Sequence, residues 1–186
     1  SVGTSAGYVE FRAELEAEPE RLTLMAALRD AIAGGLLSLH YQPKVNLRSR
    51  RTVGVEALVR WNHPQRGPIP PAAFVVLAEQ TGVIHELTDW VLDAALGQGA
   101  RWAKDGLDLG IAVNISARDL QDPGLPDRIR RSLVRHGRPA DRLIVELTES
   151  AVMESHERAV QVLQALFDGG VRVSVDDFGT GYSSLS

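Results

Sequence analysis

The chain has 186 residues, of which 44% are hydrophobic and 24% charged, the make-up of a folded domain with room for one sizeable core. A formal net charge of -4 gives no sign of a basic surface that coats duplex nucleic acid, and the absence of cysteine excludes disulfides and thiolate metal sites. No apolar run approaches the roughly 18 residues of a membrane span and no secretory leader is visible, so a cytoplasmic location with no membrane contact from this segment is expected.

Residues 1–18 mix small and acidic side chains with little periodicity and read as a linker or the tail of a preceding domain; the domain proper is expected over 19–186. Pro19 suits a first helical position. Leu22, Met25, Ala26 and Leu28 form the expected helical stripe, which stops at Gly34-Gly35. Leu36 to Leu47 reads as a strand, Asn46 to Thr52 as a short turn and Val53 to Trp61 as a second strand. A parallel crossover needs a dozen or more residues, so these two strands are antiparallel if they pair. Arg66 to Pro71 is read as a loop, and Ala72 to Thr81 and His85 to Lys104 as helices.

From there strands and helices alternate. Strand Leu109 to Ser116 precedes helix Leu125 to His136; strand Leu143 to Thr148 precedes helix Ser155 to Asp168; strand Val171 to Asp176 follows. That order indicates βα units and a parallel sheet. The chain begins at Ser1 rather than Met and stops in a loop at Ser186, and is expected to be a piece of something longer.

Successive strand residues point to opposite faces. Val55, Ala57, Ile111, Val113, Val145, Leu147 and the valines at 171, 173 and 175 then share an aliphatic face suited to helices. The other face carries Glu56, Asn114, Glu146 and Asp176. A sheet with one solvated face would give scattered polar residues as well, and Asp176-Asp177 could simply cap a turn. Against both, four strands each place an oxygen donor beside small or apolar neighbours. All four lie toward the middle or the C-terminal part of their strands, where βα barrels build active sites. Hard divalent cations take such oxygens.

Several spaced motifs carry a resemblance. Leu39-His40-Tyr41-Gln42-Pro43, Val55-Glu56-Ala57-Leu58-Val59-Arg60-Trp61, Phe74 to Gly82 and Ala112-Val113-Asn114-Ile115-Ser116 occur in that order. Val145-Glu146-Leu147-Thr148-Glu149-Ser150 and Asp176-Asp177-Phe178-Gly179-Thr180-Gly181 follow them. With these the chain resembles the EAL family of cyclic di-GMP phosphodiesterases from about Leu22 to its last residue.

The resemblance implies an α/β fold, a TIM-like (β/α)8 barrel with an antiparallel first strand, and hydrolysis of cyclic di-GMP to pGpG with two Mg²⁺ or Mn²⁺ ions. It implies Glu56, Asn114, Glu146 and Asp176 as metal ligands and Asp177 as the carboxylate near the second metal. Glu149 would hold the loop Phe178 to Leu185, which in the family couples metal binding to dimerisation, so a homodimer is expected of the full-length protein. Gln42, Leu58 and Arg60 would contact substrate. Only about five strands are counted, whereas a TIM barrel of roughly 250 residues needs eight. The family's later lysine, glutamate and glutamine do not occur in this stretch. The fragment alone is therefore expected to be inactive and poorly soluble.

Two rivals stand beside this reading. One is a non-catalytic EAL-like module that only binds cyclic di-GMP or a protein. The other is a protein kinase, suggested by Asp177-Phe178-Gly179, which fails because no glycine-rich loop, Val-Ala-Ile-Lys strand or His-Arg-Asp loop precedes it. The histidines (40, 63, 85, 136 and 156) form no close pair, and Trp61, Trp90 and Trp102 read as packing residues.

Overall fold

The structure, a computed structural model, describes residues 18–148 and 157–176, with backbone alone at 18, 19 and 176. In chain order it contains helix α1 (Glu18–Gly34), strands β1 (Leu37–Asn46), β2 (Arg51–His63) and β3 (Gly67–Ile69), and helices α2 (Pro71–Thr81) and α3 (Ile84–Lys104). Strand β4 (Gly110–Asn114) leads to helices α4 (Ala117–Leu120) and α5 (Leu125–His136). A 3-10 turn (Ala140–Arg142) precedes β5 (Leu143–Thr148), and α6 (Glu157–Asp168) precedes β6 (Arg172–Asp176).

The strands form one sheet in the order β1-β2-β4-β5-β6, with β3 hydrogen-bonded to β2 alone. β2, β4, β5 and β6 run parallel. β1 and β2 flank a four-residue turn too short for a crossover, which makes them an antiparallel hairpin. This is the strand–helix order of a TIM-like barrel with a reversed first strand, and it agrees with the sequence reading.

Two compact units divide the chain. The first comprises Ser1–Ser38 and Val59–Leu87. In it α1 packs on α2. Its core is built on Leu24, Leu28, Trp61, Phe74 and Leu77, with the Trp61 and Phe74 rings edge to face at 5.6 Å. The inward stripe of α1 is Leu24, Leu28 and Ala31, at helical spacing, whereas Leu22 is 58% exposed. The expected stripe shares Leu28 with the observed one, but its Leu22 and Ala26 face outward and Leu24 and Ala31 face inward instead. Gly82 ends α2 in the left-handed region at φ 79°, where a residue without Cβ carries no steric cost. β3, a three-residue strand inside the expected Arg66 to Pro71 loop, pairs with the end of β2 from Trp61 to His63.

The second unit comprises Leu39–Leu58 and Thr88–Ser186. Ile111, Val113, Val145 and Leu147 are buried on the helix side of its strands. Ala112, on the opposite face of β4, is buried as well, whereas Asn114 at the end of that face is exposed. β1 and β6 end the strand order among the described residues, and on β6 Val173 and Val175 are partly exposed, while Val171 just before it is buried. Strand β4 stops at Asn114 rather than Ser116, because Ser116 leaves the sheet to cap α4.

Candidate metal centre

The register of the parallel strands sets the site. Glu56 pairs with Ala112 across β2 and β4, and Asn114 pairs directly with Glu146 across β4 and β5. Thr148 pairs with Asp176 across β5 and β6. Asn114, the last residue of β4, donates its Nδ2 hydrogen to Glu56 Oε1 at 2.9 Å. A carboxylate cannot donate, so this contact fixes the amide and leaves Oδ1 as the face that can accept or ligate. Glu56 is half-buried, Asn114 exposed and Glu146 only 4% exposed. The polar cluster thus closes toward its β5 side and opens at the strand ends.

Glu146 gathers further contacts. Its Oε1 is paired with Lys44 Nζ from β1, and its Oε2 is buried with no hydrogen-bond partner among the described residues. β1 lies three strand spacings from β5 in the sheet order, which in a flat sheet is about 14 Å. A lysine meeting a glutamate across that interval requires the sheet to curl around this face. Lys44 was missed in the sequence. The available signal was its place two residues after Gln42, on the same alternate face of β1.

A buried network fixes the exit of β4. Ile115 N–H donates to the Glu146 carbonyl at 2.9 Å, tying the chain just after Asn114 to β5. Ser116 then caps α4: its Oγ accepts from Asp119 N–H at 3.1 Å, and Asp119 Oδ2 accepts from Ser116 N–H and Oγ at 3.3 and 2.8 Å. This is the reciprocal pattern of a capping box. Thr88 on α3 donates to the same Oδ2 at 2.8 Å, and Asp119 is fully buried. Arg128 on α5 reaches Asp89 at 2.7 Å, pairs with Asp122 and lies 3.9 Å from Asp119. Asp119 was also missed, although Ser116-x-x-Asp119 is written in the sequence as a capping pattern.

On the other face of β1, Tyr41 stacks edge to face on Trp102 of α3 at 4.7 Å. Burial pushes its phenol above the usual range, with the nearby Arg101 charge acting the other way. That packing directs the even-numbered residues of β1, Gln42 and Lys44, to the face that carries the cluster. Gln42 is exposed and Leu58 half-buried. Arg60, which belongs to the first unit, is half-buried and donates from Nη1 to the Val59 carbonyl at 2.9 Å.

The structure therefore brings together Glu56 and Asn114, and sets Glu146 beside Asn114 in register. Asp176 is placed by its backbone on the neighbouring strand. Glu149, Asp177 and the loop from Phe178 to Leu185 lie outside the described residues. Among the described residues no three His, Cys, Asp or Glu side chains gather closely enough to hold a metal. The third described member of this cluster is an amide. Its oxygen suits a hard cation, and the buried Glu146 Oε2 is an acceptor with no donor among the described residues, so the donor set fits a divalent ion.

Fold and site together define an α/β protein of the TIM-barrel kind, with oxygen donors on neighbouring parallel strands. Residues 25–186 match the EAL domain pattern, and the chain belongs to the EAL domain family. It is 45% identical over 181 residues to the bifunctional diguanylate cyclase/cyclic di-GMP phosphodiesterase MucR of Pseudomonas aeruginosa, covering 96% of this chain and 26% of that protein. It is 43% identical over 167 residues to the cyclic di-GMP phosphodiesterase PdeR of Escherichia coli, covering 90% and 25%. The chain thus spans about a quarter of the length of these curated relatives.

Among solved structures, the PaMucR phosphodiesterase in complex with c-di-GMP superposes with a TM-score of 0.81 at 46% identity, over 87% of this chain and 66% of that one. The Xanthomonas citri FimX EAL domain in complex with c-di-GMP gives 0.78 at 30% identity, over 91% and 65%.

Proposed function

We propose that this chain carries the metal-holding part of a cyclic di-GMP phosphodiesterase, which opens cyclic di-GMP to pGpG with two Mg²⁺ or Mn²⁺ ions bound. The observation that supports it most directly is the Asn114 to Glu56 hydrogen bond with Glu146 next in register, oxygen donors from three strands on one curled face. Relatives named as cyclic di-GMP phosphodiesterases point to the same substrate.

Glu56, Asn114, Glu146 and Asp176 would hold the cations, with Asp177 beside the second and Glu149 anchoring the loop that follows β6. Divalent cations, when bound, lower the pKa of water and offset charge on the phosphate oxygens. The chain's own contribution is to fix the ligands. Asn114 is oriented by Glu56, and its strand is held at its exit by Ile115 N–H on the Glu146 carbonyl. Gln42, Leu58 and Arg60 would line the dinucleotide. The Arg60 guanidinium uses one N–H on Val59, and its remaining donors suit a phosphate oxygen.

No helix among the described residues is long and apolar enough to cross a membrane. A cytoplasmic domain that pairs with a second copy of itself is the setting we infer. Sedimentation of the full-length protein tests the pairing.

The native full-length protein is to be incubated with cyclic di-GMP and Mg²⁺ or Mn²⁺, and the products separated by chromatography. Turnover to pGpG, lost in Glu56→Gln, is the expected result. Tight binding of cyclic di-GMP without turnover would instead assign a receptor module. Residues 1–186 alone are expected to hydrolyse nothing, since the later lysine, glutamate and glutamine of the family are not among them.

A further inference from the structure

Glu146 presents its two oxygens differently. Oε1 is engaged by the Lys44 ammonium, whereas Oε2 is buried and has no hydrogen-bond partner among the described residues. With the residue 4% exposed, bulk water does not serve the second oxygen. A buried polar atom left without a donor calls for a specific explanation, and an ion is one. Engagement of one carboxylate oxygen by a fixed donor sets the last torsion of the side chain and aims the other oxygen in one direction. Partners of this kind tune metal ligands in general. Lys44 extends from β1, a strand that the Tyr41–Trp102 contact on its other face pins to α3.

We propose that Lys44 is a positioning residue that clamps Glu146 Oε1 and commits Oε2 to the divalent cation as a single-oxygen ligand; this rests on the metal-holding reading above. A carboxylate committed through one oxygen suits Mg²⁺, which demands near-ideal octahedral geometry. It suits Ca²⁺ less, because Ca²⁺ accepts bidentate carboxylates in flexible shells. Lys44 therefore favours the smaller ion.

The test is calorimetry on the full-length protein with Mg²⁺ and Ca²⁺ separately, without nucleotide, for the native sequence and for Lys44→Met, Lys44→Gln and Lys44→Arg. Lys44→Met is expected to weaken Mg²⁺ binding about 10- to 100-fold, and Ca²⁺ binding less. Lys44→Arg, which keeps a charged donor, recovers most of the loss. Lys44→Gln keeps a neutral donor, falls between them, and serves if the methionine variant does not fold. Mg²⁺ binding unchanged or tightened in Lys44→Met, or an equal loss for both ions, would overturn the proposal. Failure of the native protein to bind any divalent cation would instead remove the metal-holding reading itself.

Discussion

Asp119→Ala tests the buried network that fixes the exit of β4. The side chain is fully buried, and one of its oxygens accepts from Thr88 Oγ1, Ser116 Oγ and Ser116 N–H at 2.8, 2.8 and 3.3 Å. Hydrogen bonds to a charged group contribute about 1.5–3 kcal/mol each, and they do not add. Leaving a buried donor without its acceptor costs about 1–3 kcal/mol, and with three donors affected and the losses not additive a total of about 2–4 kcal/mol is expected here. Arg128 keeps Asp89 and Asp122, so the variant strands two hydroxyls and an amide rather than a cation. Urea unfolding followed by far-ultraviolet dichroism reads the change as a shift in midpoint at constant slope. Asp119→Asn, which keeps an acceptor, should lose about half as much. A loss below about 1 kcal/mol in the alanine variant would show that the network is not the support of β4's exit.

Gly54→Ala sets a new Cβ 2.8 Å from the Gly110 carbonyl oxygen on the paired strand, a contact that only a backbone shift can relieve. A loss of about 1–3 kcal/mol in urea unfolding is expected, and full stability would show that β2 and β4 separate freely. Burial raises the Asp93 carboxyl, but hydrogen bonds from His136 and Arg135 outweigh it and hold the group below its ordinary value. A depressed carboxyl stabilises fully above the unfolded value of about 3.9 and loses that contribution as pH falls through the folded one. The gap in urea midpoint between native protein and Asp93→Asn should therefore shrink as pH falls below the unfolded value of about 3.9 and through the folded one; a gap that does not shrink on acidification refutes the assignment.

Most of the second unit was legible because its signals are local. Leu125 to His136 and Leu143 to Thr148 coincide with the observed elements, since Pro126 and Gly137 mark the helix ends and alternation marks the strand. Alternation also placed Glu56, Asn114 and Glu146 on one face without any knowledge of the fold. β3 was not legible. Gly67, Pro68 and Ile69 carry loop chemistry and become a strand only by pairing with β2. The stripe of α1 was misplaced because Leu22 and Leu24 are equally apolar, and only packing decides which faces inward. Lys44 is the deeper case. Its partner is 102 positions away in sequence, and their meeting depends on the curl of the sheet, which no local pattern encodes.

The amide in the cluster has a physical reason that can be put to test. Between strands that carry Glu56 and Glu146, a third carboxylate would add repulsion in the metal-free protein. Asn114 instead offers a hydrogen to Glu56 at 2.9 Å and keeps a neutral oxygen for a cation. Asn114→Asp replaces that donor with a charge. Two unit charges about 4 Å apart repel by about 1 kcal/mol in water and about 4 kcal/mol near a protein surface. Asn114 is exposed and Glu56 half-buried, which places the expected loss in metal-free stability toward the low end, about 1–2 kcal/mol. A bound cation removes the repulsion, so saturating Mg²⁺ or Mn²⁺ should raise the thermal midpoint of Asn114→Asp by more than that of the native protein. Equal metal-induced shifts in the two proteins would mean that position 114 does not face a bound ion. A metal-free Asn114→Asp protein as stable as the native one would mean that the hydrogen bond to Glu56 contributes nothing to holding β2 and β4 together at this end.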